Sequence, residues 1–529
     1  MRRFRVPSVL LIVMSMLVFV APNSFGRSPA SVGGSALPAP TYTEKYRPAY
    51  HFTPAKNWMN DPNGLVYHNG EYHLFYQYNP EDYVWGHMSW GHAVSRDLKT
   101  WTELPVAIPE DEHWMYFSGS AVIDKDNTSG FGKPGNPAMV AIFTMAAREG
   151  GKQAQGIAYS LDNGRTFTKY SANPVLDINS TEFRDPKVQW YEPTKSWLMT
   201  VSNSTDHTVS FYTSKNLKSW KLLSKFGPTG AIGGVWECPD LFQLPVDGNA
   251  AKKKWVLVVN INPGGVAGGS AAQYFLGDFD GTTFTADSPT SAAVTGADWV
   301  DHGADYYAAV SWDNTPTNDR VMIGWMNNWT YAQKTPTSPW RSAMSVPRTM
   351  GLKTINGEVR LVQTPIVDAS GKKSVRSGGR VSGVHSLGRT PTGAYQLDVS
   401  FDKTRARNYG VQVRTGRGQT TVVGYDARSQ QVYLDRTRSG ESAFAANEVT
   451  GGNDFRGVHR AAYRPADGKV KLRILVDEAS VEVFAGDGEA VLTDQIFPEP
   501  GSLGLSVFSH GGATRVISPT VTTIPNYRS

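Results

Sequence analysis

The chain has 529 residues, more than one ordinary domain uses, and its 15 Trp, 23 Tyr and 22 Phe stand among 52 Gly and 32 Pro; this mix of flat aromatics and turn formers points to two turn-rich β domains. The formal net charge of +5 is small and its basic residues are dispersed, which excludes a nucleic-acid footprint. The single cysteine, Cys238, excludes any intrachain disulfide, so stability must come from core size.

In chain order, Arg2, Arg3 and Arg5 lead into an apolar run from Val9 to Val20, and Ser24-Phe25-Gly26 follows as a small-x-small cleavage site. Residues 1–26 therefore read as a signal peptide, the apolar run being too short to span a bilayer. The expected location is secreted, extracellular or periplasmic, with no membrane association once the leader is removed. Residues 27–44, rich in Ser, Pro, Gly, Ala and Thr, read as a flexible lead-in.

From Lys45 onward the chain breaks into short β-branched and aromatic runs separated by Gly, Asn, Asp and Pro, the mark of strands. Tyr72 to Tyr78 and Ser196 to Val201 are examples. A longer repeat lies over this pattern. Arg96-Asp97-Leu98-Lys99-Thr100-Trp101 returns as Asp162-Asn163-Gly164-Arg165-Thr166-Phe167, as Lys215-Asn216-Leu217-Lys218-Ser219-Trp220 and as Asp280-Gly281-Thr282-Thr283-Phe284. Each is a polar turn running into Ser or Thr plus an aromatic, as at a hairpin tip. The aromatics recur at intervals of 66, 53 and 64 residues, which fits a four-stranded propeller blade with generous loops. Residues 45–365 hold about five such units, so they are expected to form a five-bladed β-propeller. A Gly/Ser/Lys-rich stretch, 366–385, reads as a linker. Residues 386–529 alternate as half-buried antiparallel strands do and are expected to form a β-sandwich. The predicted fold class is all-β.

Three acids share one local device: Asp61 precedes Pro62, Asp185 precedes Pro186, and Glu237 precedes Cys238-Pro239. Proline disfavours the helical region for its predecessor and cannot donate a ladder hydrogen bond, so Asp61 and Asp185 are expected to be extended at strand ends. Each acid falls in a different repeat unit, and equivalent positions of different blades converge on the central channel. Three acids on a funnel wall suit glycoside hydrolysis, which needs one carboxyl as acid and another as nucleophile or base.

The segment Trp58-Met59-Asn60-Asp61-Pro62-Asn63-Gly64 resembles the nucleophile motif of glycoside hydrolase family 32, the β-fructosidases. Thr181-Glu182-Phe183-Arg184-Asp185-Pro186 and Trp236-Glu237-Cys238-Pro239-Asp240 resemble that family's Arg-Asp-Pro and Glu-Cys-Pro motifs. Gln77, Trp85 to His92, Phe117 to Ser120 and Pro339 to Met344 match in the family's order. The resemblance covers nearly the whole chain after the leader and implies a five-bladed propeller with a C-terminal sandwich. It further implies Asp61 as nucleophile, Glu237 as acid/base and Asp185 as stabiliser of the transition state. Trp58, Asn60, Gln77, Trp85, Phe117, Ser118, Arg184 and Trp325 would surround the fructosyl unit, and Asp305 is a candidate from the fifth unit. The implied activity is a retaining exo-β-fructosidase on levan, inulin or sucrose. A levan fructotransferase of the same family is the alternative, because Asp111 to Tyr116, with Trp114, departs from the plain exo-hydrolase pattern. A non-catalytic sugar-binding propeller is the reading of another class. No cofactor and no metal is expected: His73, His87 and His92 lack a metal-ligand spacing, and Cys238 has no matching histidine for thiol catalysis. The expected partner is a fructan or fructosyl oligosaccharide, with no nucleic acid.

Overall fold

The computed structural model describes residues 38–528 apart from 288–295, 403 and 449. The expected signal peptide and most of the lead-in lie outside the described residues. Among the described residues helix is confined to short 3₁₀ turns; the rest is strand and connection.

Five strands, β1 (Asn57–His68), β2 (Trp114–Asp124), β3 (Phe183–Tyr191), β4 (Val235–Val246) and β5 (Tyr307–Ser311), stand next to one another in a closed ring, with β5 returning against β1. Each is the innermost strand of an antiparallel sheet that runs outward in chain order. Closure is made at the first blade, where Trp340 and Arg341 pair in parallel with Asn57 and Trp58.

The repeat seen in the sequence is the outer hairpin of blades I to IV. In each, a side-chain oxygen near the turn's start accepts backbone N–H groups two to four residues on: Asp97 from Lys99 and Thr100, Asp162 from Thr166, Asn216 from Lys218 and Ser219, Asp280 from Thr282 and Thr283. These side chains stand in for a backbone turn, so the motif recurs wherever that turn does. Blade V turns instead through Asn356-Gly357, both at positive φ (52° and 87°), the two-residue hairpin that Asn-Gly favours. Its tip therefore lacks the motif.

In the sandwich the last strand, Gly504–Thr523, is shared by both layers. Its first half pairs with Asn408–Gly416 and Gly379–Arg389, its second with Tyr395–Phe401. Tyr395, Leu397, Val411, Val423, Ile474 and Val507 fill the space between. The stretch 366–385, expected as a linker, holds strands Lys373–Val375 and Gly379–Arg389 on this last strand. These strands face solvent on most positions, so they need few apolar residues, and the register shifts beside Gly383 and Gly388 account for the glycines.

Propeller and sandwich meet across buried charges. Arg348 bonds Asp301 (2.9 Å) and Glu482 (2.6 Å), and Arg436 bonds Asp305 (2.5 Å). His51 sits between Asp477 (2.8 Å) and Glu482 (2.7 Å). Burial alone would pull its pKa down, but its bonds to the two carboxylates overcome that and push it up to about 9. An unfolded histidine titrates near ~6.5, so the stability gained from the charged ring is full below that value and is lost as pH rises through about 9. Melting temperature is expected to fall across this window, and His51→Gln is expected to flatten the fall. Equal slopes in both proteins would remove His51 from the account.

Candidate active site

Every inner strand breaks register with its neighbour at the same height: between Met59 and Pro62, Phe117 and Gly119, Arg184 and Lys187, Glu237 and Asp240, and Tyr307 and Val310. Such bulges re-aim side chains. Here they carry Asp61, Ser118, Asp185, Glu237 and Tyr307 to one level of the ring. The prolines after the three acids cannot donate to a ladder, and that is where pairing lapses. Blade II has no proline there. Gly119 serves instead, since a Cβ on it would stand 2.0 Å from the Ile142 carbonyl.

Asp185 corrects one expectation. It is not extended at a strand end but lies within β3 at φ 68°, and Asp61 likewise lies inside β1 and not at its end. Tertiary bonds outweigh the local preference: its N–H donates to Thr144 Oγ1 (2.9 Å), and its Oδ2 accepts the Cys238 N–H (2.9 Å). Cys238 is also left-handed, at φ 45°, a conformation that costs roughly 1–3 kcal/mol per residue. Its Sγ lies 3.6 Å from Asp61 Oδ2 and 3.6 Å from Asp185 Oδ2, so two acids meet on one thiol. Burial and the surrounding carboxylates hold that thiol protonated, far above its ordinary value.

Asp61 accepts from Ser118 Oγ (2.6 Å) and from Asn60 Nδ2 (3.0 Å), and Trp58 Nε1 donates to Asn60 (2.7 Å). Burial, and next the charge of Glu237, raise the Asp61 carboxyl above its ordinary value against these hydrogen bonds. Glu237 takes Arg184 Nε on one oxygen (2.9 Å) and the Tyr307 hydroxyl on the other. Arg184 is fixed by Glu182 (2.6 Å) and Gln153 (3.3 Å). Burial, then Glu237, push Asp185 up to about 7, with Arg184 opposing. Three carboxyls with one guanidinium thus form a site in which a proton is easily kept. One acid can donate while another stays ionised.

The aromatic wall differs from expectation in its facing. Trp58 and Trp325 are fully buried and back Trp329, which stacks on Trp58 with centroids 5.6 Å apart. The partly exposed rings are Trp329, Trp85 and Phe117, the last two edge to face at 6.1 Å. Gln77 is buried, and its amide donates to the Tyr116 carbonyl (3.0 Å), bracing blade I against blade II. Asp305 does not join the site. Its fully buried carboxylate takes Tyr331, Arg436 and the Gln495 N–H, which places it at the sandwich interface. Tyr307, Trp329 and Thr144 are the site residues that sequence reasoning missed.

Elsewhere, His87 approaches Glu110 (2.6 Å) and Glu81 (3.4 Å), but Arg148 also pairs with Glu110 at 2.8 Å and supplies the positive charge that a cation would bring. Asp111 is tied to Tyr116 and to Lys169 (2.9 Å), so the divergent segment is a turn pinned onto the first residues of β2, Trp114 to Tyr116.

The models for the N-terminal and C-terminal domains of glycosyl hydrolases family 32 match residues 51–365 and 363–523. A levanase of Bacillus subtilis is 49% identical over 91% of this chain and 70% of its own length. An extracellular exo-inulinase of Aspergillus ficuum is 46% identical, covering 89% of this chain and 93% of its own. The crystal structure of exo-inulinase from Aspergillus awamori superposes with a TM-score of 0.85 at 43% identity, covering 92% of this chain and 99% of its own. That of a Schwanniomyces occidentalis β-fructofuranosidase complexed with fructosyl-erythritol gives 0.82 at 32% identity, covering 90% and 98%. The bulged acids, the propeller and the appended sandwich thus coincide with these matches along the chain, which belongs to glycosyl hydrolase family 32.

Proposed function

We propose that the protein is a secreted, retaining exo-hydrolase that removes fructosyl units from the non-reducing end of fructans. The observation that carries this reading is the meeting of Asp61, Asp185 and Glu237 at equivalent bulges of three inner strands, with one thiol 3.6 Å from two of them. The names of the levanase and exo-inulinase relatives point to the same substrate class.

Asp61 would attack the anomeric carbon while Glu237 passes its proton to the departing oxygen, breaking the glycosidic bond and leaving a fructosyl ester on Asp61. Glu237, now ionised, would take a proton from water as that water attacks the same carbon, releasing fructose and restoring both acids. Two inversions give net retention. Ser118 and Asn60 hold the nucleophile, Arg184 and Tyr307 hold Glu237, and Asp185 would accept from the sugar hydroxyls. Export is supported by the leader pattern at residues 1–26 and by the relatives named extracellular.

Early digests of levan and inulin, followed by chromatography and proton NMR, test the reading. Free fructose, first formed as the β-anomer, is expected. An α-anomer would exclude retention, a ladder of mid-length oligomers would exclude exo attack, and a difructose anhydride would make the enzyme a transferase.

A further inference from the structure

We propose a second, non-catalytic fructan-binding site at the rim of blade I, in the cavity between the outer hairpin, the N-terminal segment and the end of the chain. It rests on the fructan reading above and adds to it a place where the same polymer is held. The cavity measures about 220 Å³ and is lined by Tyr42, Lys99, Trp101, Glu103, Tyr527 and Arg528, among others. This is room for a sugar ring, not for a folded segment.

Its chemistry is that of a carbohydrate subsite: aromatic faces with a few placed polar groups. Trp101 is the aromatic at the blade I hairpin tip. Its indole is backed by Trp312, nearly parallel at 6.1 Å and 24°, and by Phe52 at 6.0 Å, so it is a rigid platform that stays partly exposed. Tyr42 is 39% exposed and is held by the guanidinium groups of Arg47 (5.2 Å) and Arg528 (5.6 Å). Between them, Glu103 accepts the Ala55 N–H (2.8 Å) and the Tyr76 hydroxyl (3.2 Å). Each carboxylate oxygen keeps a lone pair for a sugar hydroxyl. The Lys99 ammonium forms no ion pair or hydrogen bond among the described residues. Arg528 is locked in place by the carbonyls of His51 (2.9 Å) and Thr53 (3.2 Å).

The site is separate from the carboxylates. Glu103 lies on the outermost strand of blade I, Thr102–Ile108, and Asp61 on the innermost. Three strand spacings of about 4.8 Å put them roughly 14 Å apart along the sheet alone. A disaccharide such as sucrose is too short to span that distance, but a polymer can occupy both places, and tethering raises its effective concentration at the funnel.

The test uses the full chain carrying Glu237→Gln, which should bind without turnover. Affinity electrophoresis through gels holding levan or inulin measures its retention. Adding Trp101→Ala, Tyr42→Ala or Lys99→Ala is expected to weaken retention by about threefold or more. In the active enzyme the same three changes should lower kcat/KM on the polymer by a similar factor and leave the value on sucrose within about twofold. Tyr42 and Lys99 are surface residues, so they decide the matter even if loss of Trp101 disturbs the packing on Trp312. Unchanged retention in both variants would overturn the proposal, and so would an equal loss on short and long substrates. Failure of the parent enzyme to cleave either polymer would instead refute the fructan reading, which the activity assay reports independently of retention.

Discussion

Replacing Asp61, Asp185 or Glu237 by Ala is expected to cut kcat/KM by at least about a thousandfold, with the melting temperature little changed. Each acid would supply a distinct part of the barrier reduction. Asp61 would form the covalent bond, Glu237 would move the proton, and Asp185 would meet charge or hydroxyls at the transition state, and groups of these kinds are each worth several kcal/mol. The fold should tolerate the changes because Asp61 and Glu237 are only partly buried. Loss of a buried carboxylate beside two others also relieves repulsion: Glu237 raises the carboxyls of both Asp61 and Asp185. The roles separate by leaving group. With a fructoside of an acidic phenol, which departs without protonation, Glu237→Ala should recover much of the first step, whereas Asp61→Ala should recover nothing. A variant of any of the three that kept more than about a tenth of the parent rate would refute the role given to that acid.

The legible part of the site was the part written in covalent grammar. Proline after an acid marks the place where a ladder must lapse, and three such places in three repeat units located Asp61, Asp185 and Glu237. The hairpin tips were legible because an Asp or Asn side chain must replace backbone at the turn. Blade V escaped both signals. Its tip uses Asn356-Gly357, whose positive φ values make the turn without side-chain help, and its bulge at Tyr307 to Val310 has no proline. The quartet Asp305-Tyr306-Tyr307-Ala308 therefore offers three polar candidates, of which Asp305 is the only carboxylate. The bulged tyrosine is the one that reaches Glu237. Facing was equally hidden. Trp58 and Trp325 carry the right chemistry, but only packing decides that Trp329 covers them. The left-handed Asp185 follows from bonds to Thr144 and Cys238, which are 41 and 53 residues away in sequence.

Asp305→Ala is expected to cost about 3–5 kcal/mol of unfolding free energy, read from the urea midpoint, while kcat/KM of the folded enzyme stays within a few-fold. The carboxylate is fully buried and holds Arg436 at 2.5 Å, Tyr331 at 2.6 Å and the Gln495 N–H at 2.8 Å. Removing it leaves a guanidinium in a dry interface with the neutral Gln495 carbonyl (3.2 Å) and Tyr331 hydroxyl (2.8 Å), while the Asp494 carboxylate that still attracts it is already bonded to His459 (2.7 Å). The penalty arises from the stranded charge more than from the lost attraction. Taking out both partners, as Asp305→Leu with Arg436→Met, should therefore be milder than either single change, because no charge is left behind and the space is refilled. The phenyl ring of Phe455, 4.0 Å from the Arg436 guanidinium, offers an apolar surface for the methionine. The cycle also separates the two roles open to Asp305. A sugar-binding carboxylate would lose activity at unchanged stability, and its change would add independently to that of Arg436. Additive single effects, or intact stability with lost turnover, would return Asp305 to the substrate pocket and remove it from the joint between propeller and sandwich.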